Sequence, residues 1–289
     1  MKAYIFPGQG SQYPGMGRDI YESSPRAREV FDRAVDVLGF DIVKIMFEGS
    51  REQLLRTSVT QPAIFIHSYA ASRALDDFAP DMVAGHSLGE FSALAASGAL
   101  EFEDALRLVA IRANAMNEAC RKNPGKMAAI LVLDDKTVER ICSQTEGVVV
   151  PANYNCPGQL VISGEADAVD RACAAAKAAG ARKAVILPVD GAFHSPLMEP
   201  ARSELARAIE TTPFHTPVCP IYQNADGLPH TDPSEVKTNL ITQLTSPVLW
   251  CQSVLNMAAD GADDFTELGP ATVLMNLVKR IISFPEIKC

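Results

Sequence analysis

The chain has 289 residues, of which 47% are apolar and 21% charged, and this composition excludes a disordered chain, collagen and a disulfide-stapled miniprotein. Its seven cysteines are scattered and form no C-x-x-C pair. A metal knuckle is therefore not expected, and reduced thiols in a cytoplasm are favoured. The 26 Lys and Arg residues against 35 Asp and Glu give a net charge of −9, which argues against nucleic-acid binding, because that affinity comes from cationic side chains. No apolar run approaches the roughly 18 residues that span a bilayer, and the N-terminal apolar stretch is too short for a signal peptide, so we expect no membrane association.

The first part of the chain predicts alternating strands and helices. An apolar strand over residues 2–6 leads into a glycine-rich loop over residues 8–15. Helices are predicted to begin near Ser24 and near Thr60, since both residues are good N-caps. Further elements before residue 125 are a buried strand over 81–85 and helices over 88–96 and 103–122.

From about residue 126 the predicted order becomes β-α-β-β-α-β, which is the ferredoxin-like arrangement. Its strands cover 126–132, 148–152, 159–163 and 183–188, and its helices cover 135–145 and 166–179. After it come helices over 197–210, 234–244, 251–259 and 272–281, with strands near 218–222 and 264–268. We therefore predict a large α/β domain with a mainly parallel sheet, residues 1–124 and 190–289, carrying an inserted small domain, residues 125–189.

The sharpest chemical signal is Gly85–Gly89, which fits the pattern G-x-S-x-G between a buried strand and a helix. In such an elbow the serine sits on a strained turn with its hydroxyl exposed, so Ser87 is a candidate nucleophile. The helix that follows directs its free N–H groups at the site, which makes the Leu88 N–H a candidate oxyanion donor. The alternative is an ordinary tight strand–helix turn.

A serine nucleophile needs a base, and His194 is the best-placed of five histidines. It lies in a loop after a buried strand and before a helix, where active-site groups of α/β folds commonly lie. Asp190 could orient its ring or merely cap the turn, and a backbone carbonyl could serve instead. His86 adjoins the serine but is expected to point away from it. His67 is expected to be a packed or a surface residue in the middle of a helix, and His215 and His230 are expected to lie in solvated loops.

Arg112 lies on an apolar helical stripe. A buried unpaired guanidinium is costly, so this position needs an explanation. One is a fork that binds a substrate carboxylate in bidentate fashion. The other is an arginine that reaches solvent or forms a salt bridge.

Gln9 lies between two glycines directly after the first strand. Its position could supply a second oxyanion donor. The neighbouring glycines do not make G-x-G-x-x-G, because Tyr13 occupies the third glycine position, so a dinucleotide site is not expected.

Taken together and in order, these segments resemble the malonyl-CoA:acyl-carrier-protein transacylases, a family that includes the acyltransferase domains of polyketide and animal fatty-acid synthases. The resemblance covers residues 2–282 and implies a hydrolase-like α/β domain with a ferredoxin-like insert. The segments that carry it are FPGQGSQ (6–12), GHSLGE (85–90), Arg112 with Met116, and FHS (193–195). A minor departure is Ala271, where many members have a further glycine.

The resemblance implies roles for five residues. Ser87 would attack the malonyl thioester, and His194 would take its proton and return it to the leaving thiol. The backbone N–H groups of Gln9 and Leu88 would form the oxyanion hole, and Arg112 would hold the free malonyl carboxylate.

The resemblance further implies that Gln243 orients the histidine. Asn155 belongs to an asparagine-rich turn that would lie at the mouth of the cleft. Phe193 resembles the bulky residue of malonyl-preferring members and would, with Met116, contact the substrate.

The function expected from the resemblance is ping-pong transfer of a malonyl group from coenzyme A to the phosphopantetheine of an acyl carrier protein, for fatty-acid synthesis. The protein is expected to be a cytoplasmic monomer that needs no cofactor. Alternatives are a serine thioesterase or hydrolase, a trans-acting acyltransferase of polyketide synthesis, and a non-catalytic docking subunit. Two groups of basic residues are weak candidates for carrier docking: Arg121, Lys122 and Lys126, and Lys177, Arg182 and Lys183.

Overall fold

The computed structural model describes residues 1–189 and 191–284. The strands are β1 Lys2–Phe6, β2 Met82–Gly85, β3 Gly125–Leu131, β4 Val149–Cys156, β5 Gln159–Glu165, β6 Lys183–Ile186, β7 Ile221–Tyr222, β8 Pro229–His230 and β9 Asp264–Glu267. The helices are α1 Arg18–Ser23, α2 Pro25–Leu38, α3 Ile42–Glu48, α4 Arg51–Leu55, α5 Thr57–Ala74, α6 Gly89–Ala96, α7 Phe102–Lys122, α8 Asp135–Gln144, α9 Ala166–Ala178, α10 Glu199–Thr211, α11 Pro233–Gln243, α12 Trp250–Ala259 and α13 Leu274–Ile282.

Five strands form a mainly parallel sheet in the order β8-β7-β2-β1-β9. β1 pairs in parallel with β2 and β9, and β2 pairs in parallel with β7, whereas β8 is antiparallel to β7. The segments that follow β1, β2 and β7 therefore leave the sheet at the same edge, where ligands of open α/β sheets bind. This edge receives Gln9, Ser87 and Asn224.

The other four strands form a separate antiparallel sheet in the order β4-β5-β3-β6. The apolar faces of α8 and α9 cover it and form a core of their own. A short parallel bridge ties it to the chain after α11: the Tyr154 N–H donates to the Val248 carbonyl at 2.9 Å, and the Val248 N–H to the Ala152 carbonyl at 2.8 Å.

Several predicted boundaries are wrong. The helix expected near Thr60 begins at Thr57, because the Thr60 hydroxyl donates to the Leu54 and Arg56 carbonyls rather than capping a helix. The strand expected over 148–152 continues as β4 to Cys156, through two irregularities in its pairing with β5. The sequence patterns also missed four short elements, namely α1, α3, α4 and β8.

Two further findings concern the described part of the chain. None of its helices combines the length and apolarity needed to cross a bilayer. Nor do its His, Cys, Asp and Glu side chains come together in a group of three that could hold a metal ion.

Candidate active site

The turn between β2 and α6 holds Ser87 in the left-handed backbone region, with φ at 53°. A Cβ atom at Gly85 would lie 1.9 Å from the carbonyl carbon of Gly89, and one at Gly89 would lie 2.0 Å from the Phe6 carbonyl oxygen. Backbone thus packs on backbone on both sides of the serine, and only glycine fits. This is the elbow that G-x-S-x-G predicts.

Both backbone polar groups of Ser87 are held by side-chain amides. Its N–H donates to Asn224 Oδ1 at 2.7 Å, and its carbonyl accepts from Gln243 Nε2 at 3.0 Å. A non-glycine residue with positive φ costs about 1–3 kcal/mol and persists only where its surroundings fix it. These two hydrogen bonds help to fix the strained conformation.

His194 lies beside the serine hydroxyl. Its Nε2 is 2.8 Å from Ser87 Oγ, and its Nδ1 is 2.9 Å from the backbone oxygen of Gln243. A carbonyl oxygen only accepts, so Nδ1 carries the ring proton and Nε2 is free to accept from the serine. Burial and the charge of Arg112 lower the pKa of His194 to about 3, so its ring is neutral near pH 7.

The group in contact with His194 Nδ1 is thus a backbone carbonyl. Gln243 does lie against the histidine, but its side chain points to the serine backbone instead. Asp190, the carboxylate considered for this role, lies outside the described residues.

The remaining histidines do not contact the Ser87 hydroxyl. His86 Nε2 is 2.8 Å from Asn155 Oδ1, His67 is buried in α5, and His215 is exposed. The expectation of a solvated His230 is wrong, because its ring lies between Asp226, at 2.8 Å, and Glu235, at 3.1 Å.

Arg112 projects from α7 to the serine and is only 1% exposed. Its Nη2 donates to Ser87 Oγ at 3.0 Å and to Gln243 Oε1 at 3.3 Å, and its Nη1 donates to Gln61 Oε1 at 2.8 Å. Its Nε is buried without a partner among the described residues. Burial lowers the pKa of Arg112 to about 10, so it remains a cation at neutral pH. A guanidinium held by neutral groups beside a hydroxyl, with donors to spare, is suited to bind an anion.

A buried carboxylate, Glu90, lies behind the serine. It accepts hydrogen bonds from Gln223 Nε2 at 2.7 Å, the Asn224 N–H at 3.0 Å and Gln243 Nε2 at 2.9 Å. Burial raises the pKa of Glu90, and these donors and the charge of Arg112 oppose the rise.

Sequence reasoning gave no role to Glu90, Gln61 or Asn224. Two of them carry a signal that could have revealed them: Gln61 and Glu90 are polar residues within the predominantly apolar helices α5 and α6. Asn224 follows a strand of only two residues, so its position at the sheet edge was hard to foresee.

A cavity of about 210 Å³ opens over the serine. Except for Asn155 and Gln243, the predicted site residues line it: Gln9, Ser87, Leu88, Arg112, Met116, Phe193 and His194. Asn155 does not line the cavity but contacts His86, which does. Asn153, two residues earlier on β4, is the asparagine in the cavity lining. The opposite wall comes from the small sheet and the segment after β6, with Met127, Leu187 and Val189, so the cavity lies between the two sheets.

Two backbone donors in the lining are available. Neither the Gln9 N–H nor the Leu88 N–H donates to another group in residues 1–189 or 191–284. Leu88 is also the N-cap of α6, where free N–H groups favour negative charge. The arrangement therefore holds a hydroxyl, a neutral imidazole, a cation and free backbone donors around one small space, which suits acyl transfer.

Comparison with known proteins agrees with this chemistry. The acyl transferase domain pattern matches residues 3–286. A malonyl CoA-acyl carrier protein transacylase of Escherichia coli O157:H7 is 44% identical over 97% of this chain and 92% of its own length.

Solved structures give the same result. An acyl carrier protein S-malonyltransferase from Vibrio cholerae is 41% identical, with a TM-score of 0.94 over 97% of this chain and 94% of that one. A malonyl-transacylase solved in complex with a type II PKS acyl-carrier protein is 40% identical, with a TM-score of 0.94 over 97% of this chain and 93% of that one. The chain belongs to the acyl transferase domain family and, within it, to the malonyl CoA-acyl carrier protein transacylases.

Proposed function

We propose that this protein transfers a malonyl group from coenzyme A to the phosphopantetheine thiol of an acyl carrier protein through an ester on Ser87. The observation that carries the proposal is the buried Arg112 guanidinium, 3.0 Å from the Ser87 hydroxyl oxygen. The names of the relatives state the same donor and acceptor.

In the first half-reaction Ser87 attacks the malonyl thioester. His194 Nε2 takes the hydroxyl proton as the Oγ–carbon bond forms. The carbonyl oxygen becomes negative and is bound by the N–H groups of Gln9 and Leu88. Collapse of this intermediate breaks the carbon–sulfur bond, and the imidazolium gives its proton to the leaving coenzyme A thiolate.

The second half-reaction is the reverse with another thiol. His194 takes the proton of the carrier's phosphopantetheine thiol, whose sulfur attacks the Ser87 ester. The serine oxygen leaves and regains the proton, so the two thiols use one site in turn. We propose that these steps need no cofactor, since each proton transfer and each bond change is assigned to a group of the chain or its substrates.

Arg112 selects the acyl group. A malonyl ester on Ser87 places its carboxylate next to the guanidinium, whereas an acetyl group leaves those donors unpaired. Phe193 and Met116, in the cavity wall, limit the space beside the carboxylate. We assign Asn155 a contact with His86 at the cavity edge rather than with the reacting atoms.

The wider context of the reaction is also a proposal. We assign the protein to fatty-acid synthesis in the cytoplasm, as a monomer, with a polyketide carrier as the alternative acceptor, since one structural neighbour was solved with such a carrier. A serine thioesterase would need no cation at the serine, so Arg112 argues against that reading.

We further propose that residues 1–124 and 190–289 form a hydrolase-like catalytic domain and that residues 125–189 form a ferredoxin-like insert. The sheet order β4-β5-β3-β6 supports the insert, since it is order 2-3-1-4 within a β-α-β-β-α-β segment.

Incubation with malonyl-CoA alone tests the main proposal. Intact-protein mass spectrometry should show a stable malonyl adduct, mapped by digestion to Ser87 and absent from the Ser87→Ala variant. Addition of acyl carrier protein should discharge it. Continuous release of free malonate without a carrier would contradict the proposal and indicate a thioesterase.

A further inference from the structure

The buried carboxylate of Glu90 has no part in the steps above. In all three of the hydrogen bonds described for it, the carboxylate is the acceptor. Oε1 accepts from Gln223, and Oε2 accepts both from the Asn224 N–H and from Gln243 Nε2. The residue is fully buried, so these donors are not exposed to bulk solvent at the carboxylate. Glu90 is therefore a fixed acceptor behind the serine.

The Oε2 atom meets the two residues that hold the serine backbone. Asn224 accepts from the Ser87 N–H at 2.7 Å, and its own Nδ2 donates to the Gly85 carbonyl at 2.7 Å. Gln243 Nε2 donates to the Ser87 carbonyl at 3.0 Å. Loss of this acceptor would remove one hydrogen bond from each of the two residues, Asn224 and Gln243, that hold the Ser87 backbone.

The same contact, together with the Ser87 carbonyl, sets which way the Gln243 amide faces. With Nε2 on Glu90, Oε1 is turned to Arg112 Nη2, 3.3 Å away. The opposite orientation would set an N–H donor against the guanidinium. Glu90 thereby acts on the cation as well as on the serine, through one amide.

We propose that Glu90 is a positioning residue for malonyl transfer: its Oε2 atom holds Asn224 and Gln243 so that Ser87 keeps its left-handed turn and Arg112 keeps its place beside the hydroxyl. The inference rests on the function proposed above. It assigns no contact between Glu90 and the substrate.

The test compares the transfer rate per active site, with active sites counted as the malonyl-Ser87 formed without carrier. Glu90→Met removes both acceptor oxygens and should lower that rate on the order of 10–100-fold, because small misplacements of reacting groups cost this much. Glu90→Gln retains one acceptor oxygen and should recover most of the loss. A rate for Glu90→Met within threefold of wild type would overturn the proposal.

A double-mutant cycle separates positioning from general stability. Asn224→Ala alone should lower the rate per site at least tenfold, and adding Glu90→Met should lower it little further. Additive losses would overturn the proposal. If Glu90→Met does not fold, Asn224→Ala alone decides the test. A fall of less than threefold in its transfer rate per active site would refute the proposal that Asn224 holds the Ser87 backbone in place.

Glu267 provides the matched control. Glu267 is the last residue of β9, and its carboxylate also accepts three N–H groups. They belong to Val273, Leu274 and Met275 at the start of α13, at 2.9–3.0 Å. Glu267→Met should lower the melting temperature and leave the rate per site unchanged. Failure of wild-type protein to form malonyl-Ser87 would instead refute the function itself.

Discussion

Replacing Arg112 with alanine should remove the preference for malonyl over acetyl groups. The guanidinium is 1% exposed and lies within 3.0 Å of the oxygen that carries the acyl group. A carboxylate there would take two charge-assisted hydrogen bonds, each worth about 1.5–3 kcal/mol. Their loss, about 3–6 kcal/mol, corresponds to about a 10²–10⁴-fold fall in kcat/KM for malonyl-CoA.

Acetyl-CoA makes no such bonds, so its kcat/KM should stay the same or rise. The assay measures transfer of both acyl groups to holo acyl carrier protein, together with the melting temperature, since the variant leaves Glu90 without its nearby cation. Arg107→Ala is a matched control. It lies on the same helix, 57% exposed and paired with Asp104 at 2.9 Å, and should alter neither rate. An equal fall for both acyl groups would refute the reasoning and reduce Arg112 to a structural role.

The remaining predictions concern pH and the elbow. A protonated imidazole cannot take the serine proton, so activity falls only as pH drops through the pKa of His194, about 3. We therefore expect kcat/KM of the wild-type protein to stay level from pH 8 to pH 5. In Arg112→Ala the cation is gone, so kcat/KM should begin to fall at a higher pH than in the wild type. A fall in wild-type kcat/KM centred near pH 6.5 would contradict this. Gly85→Ala should abolish native folding, as judged by circular dichroism, because its methyl group would overlap Gly89. Gly39→Ala, whose new Cβ would meet open space at φ 71°, should cost only about 1–2 kcal/mol in free energy of unfolding by urea titration; a natively folded Gly85→Ala protein would refute the steric argument.

Local patterns predicted most of the architecture well. The strand at 2–6 and the helices near 103–122 and 166–179 have strong periodicity, and they appear as β1, α7 and α9 within one residue of the predicted bounds. The alternation of strands and helices also predicted a mainly parallel sheet, which is observed. The short elements were missed because segments of two to seven residues carry too little periodicity to stand out.

The amino-acid sequence by itself determined the elbow, since Gly85, Ser87 and Gly89 are spaced as the turn requires, and it marked Arg112 as an unusual charge on an apolar face. Only the tertiary structure decided what surrounds them. The carbonyl that accepts from His194 Nδ1 belongs to a residue 49 positions away, and the side chain that accepts from the Ser87 N–H belongs to Asn224, 137 positions away. Such partners leave no local pattern, because the fold brings the ends of distant strands, and the end of α11, to one edge of the sheet whatever their separation along the chain.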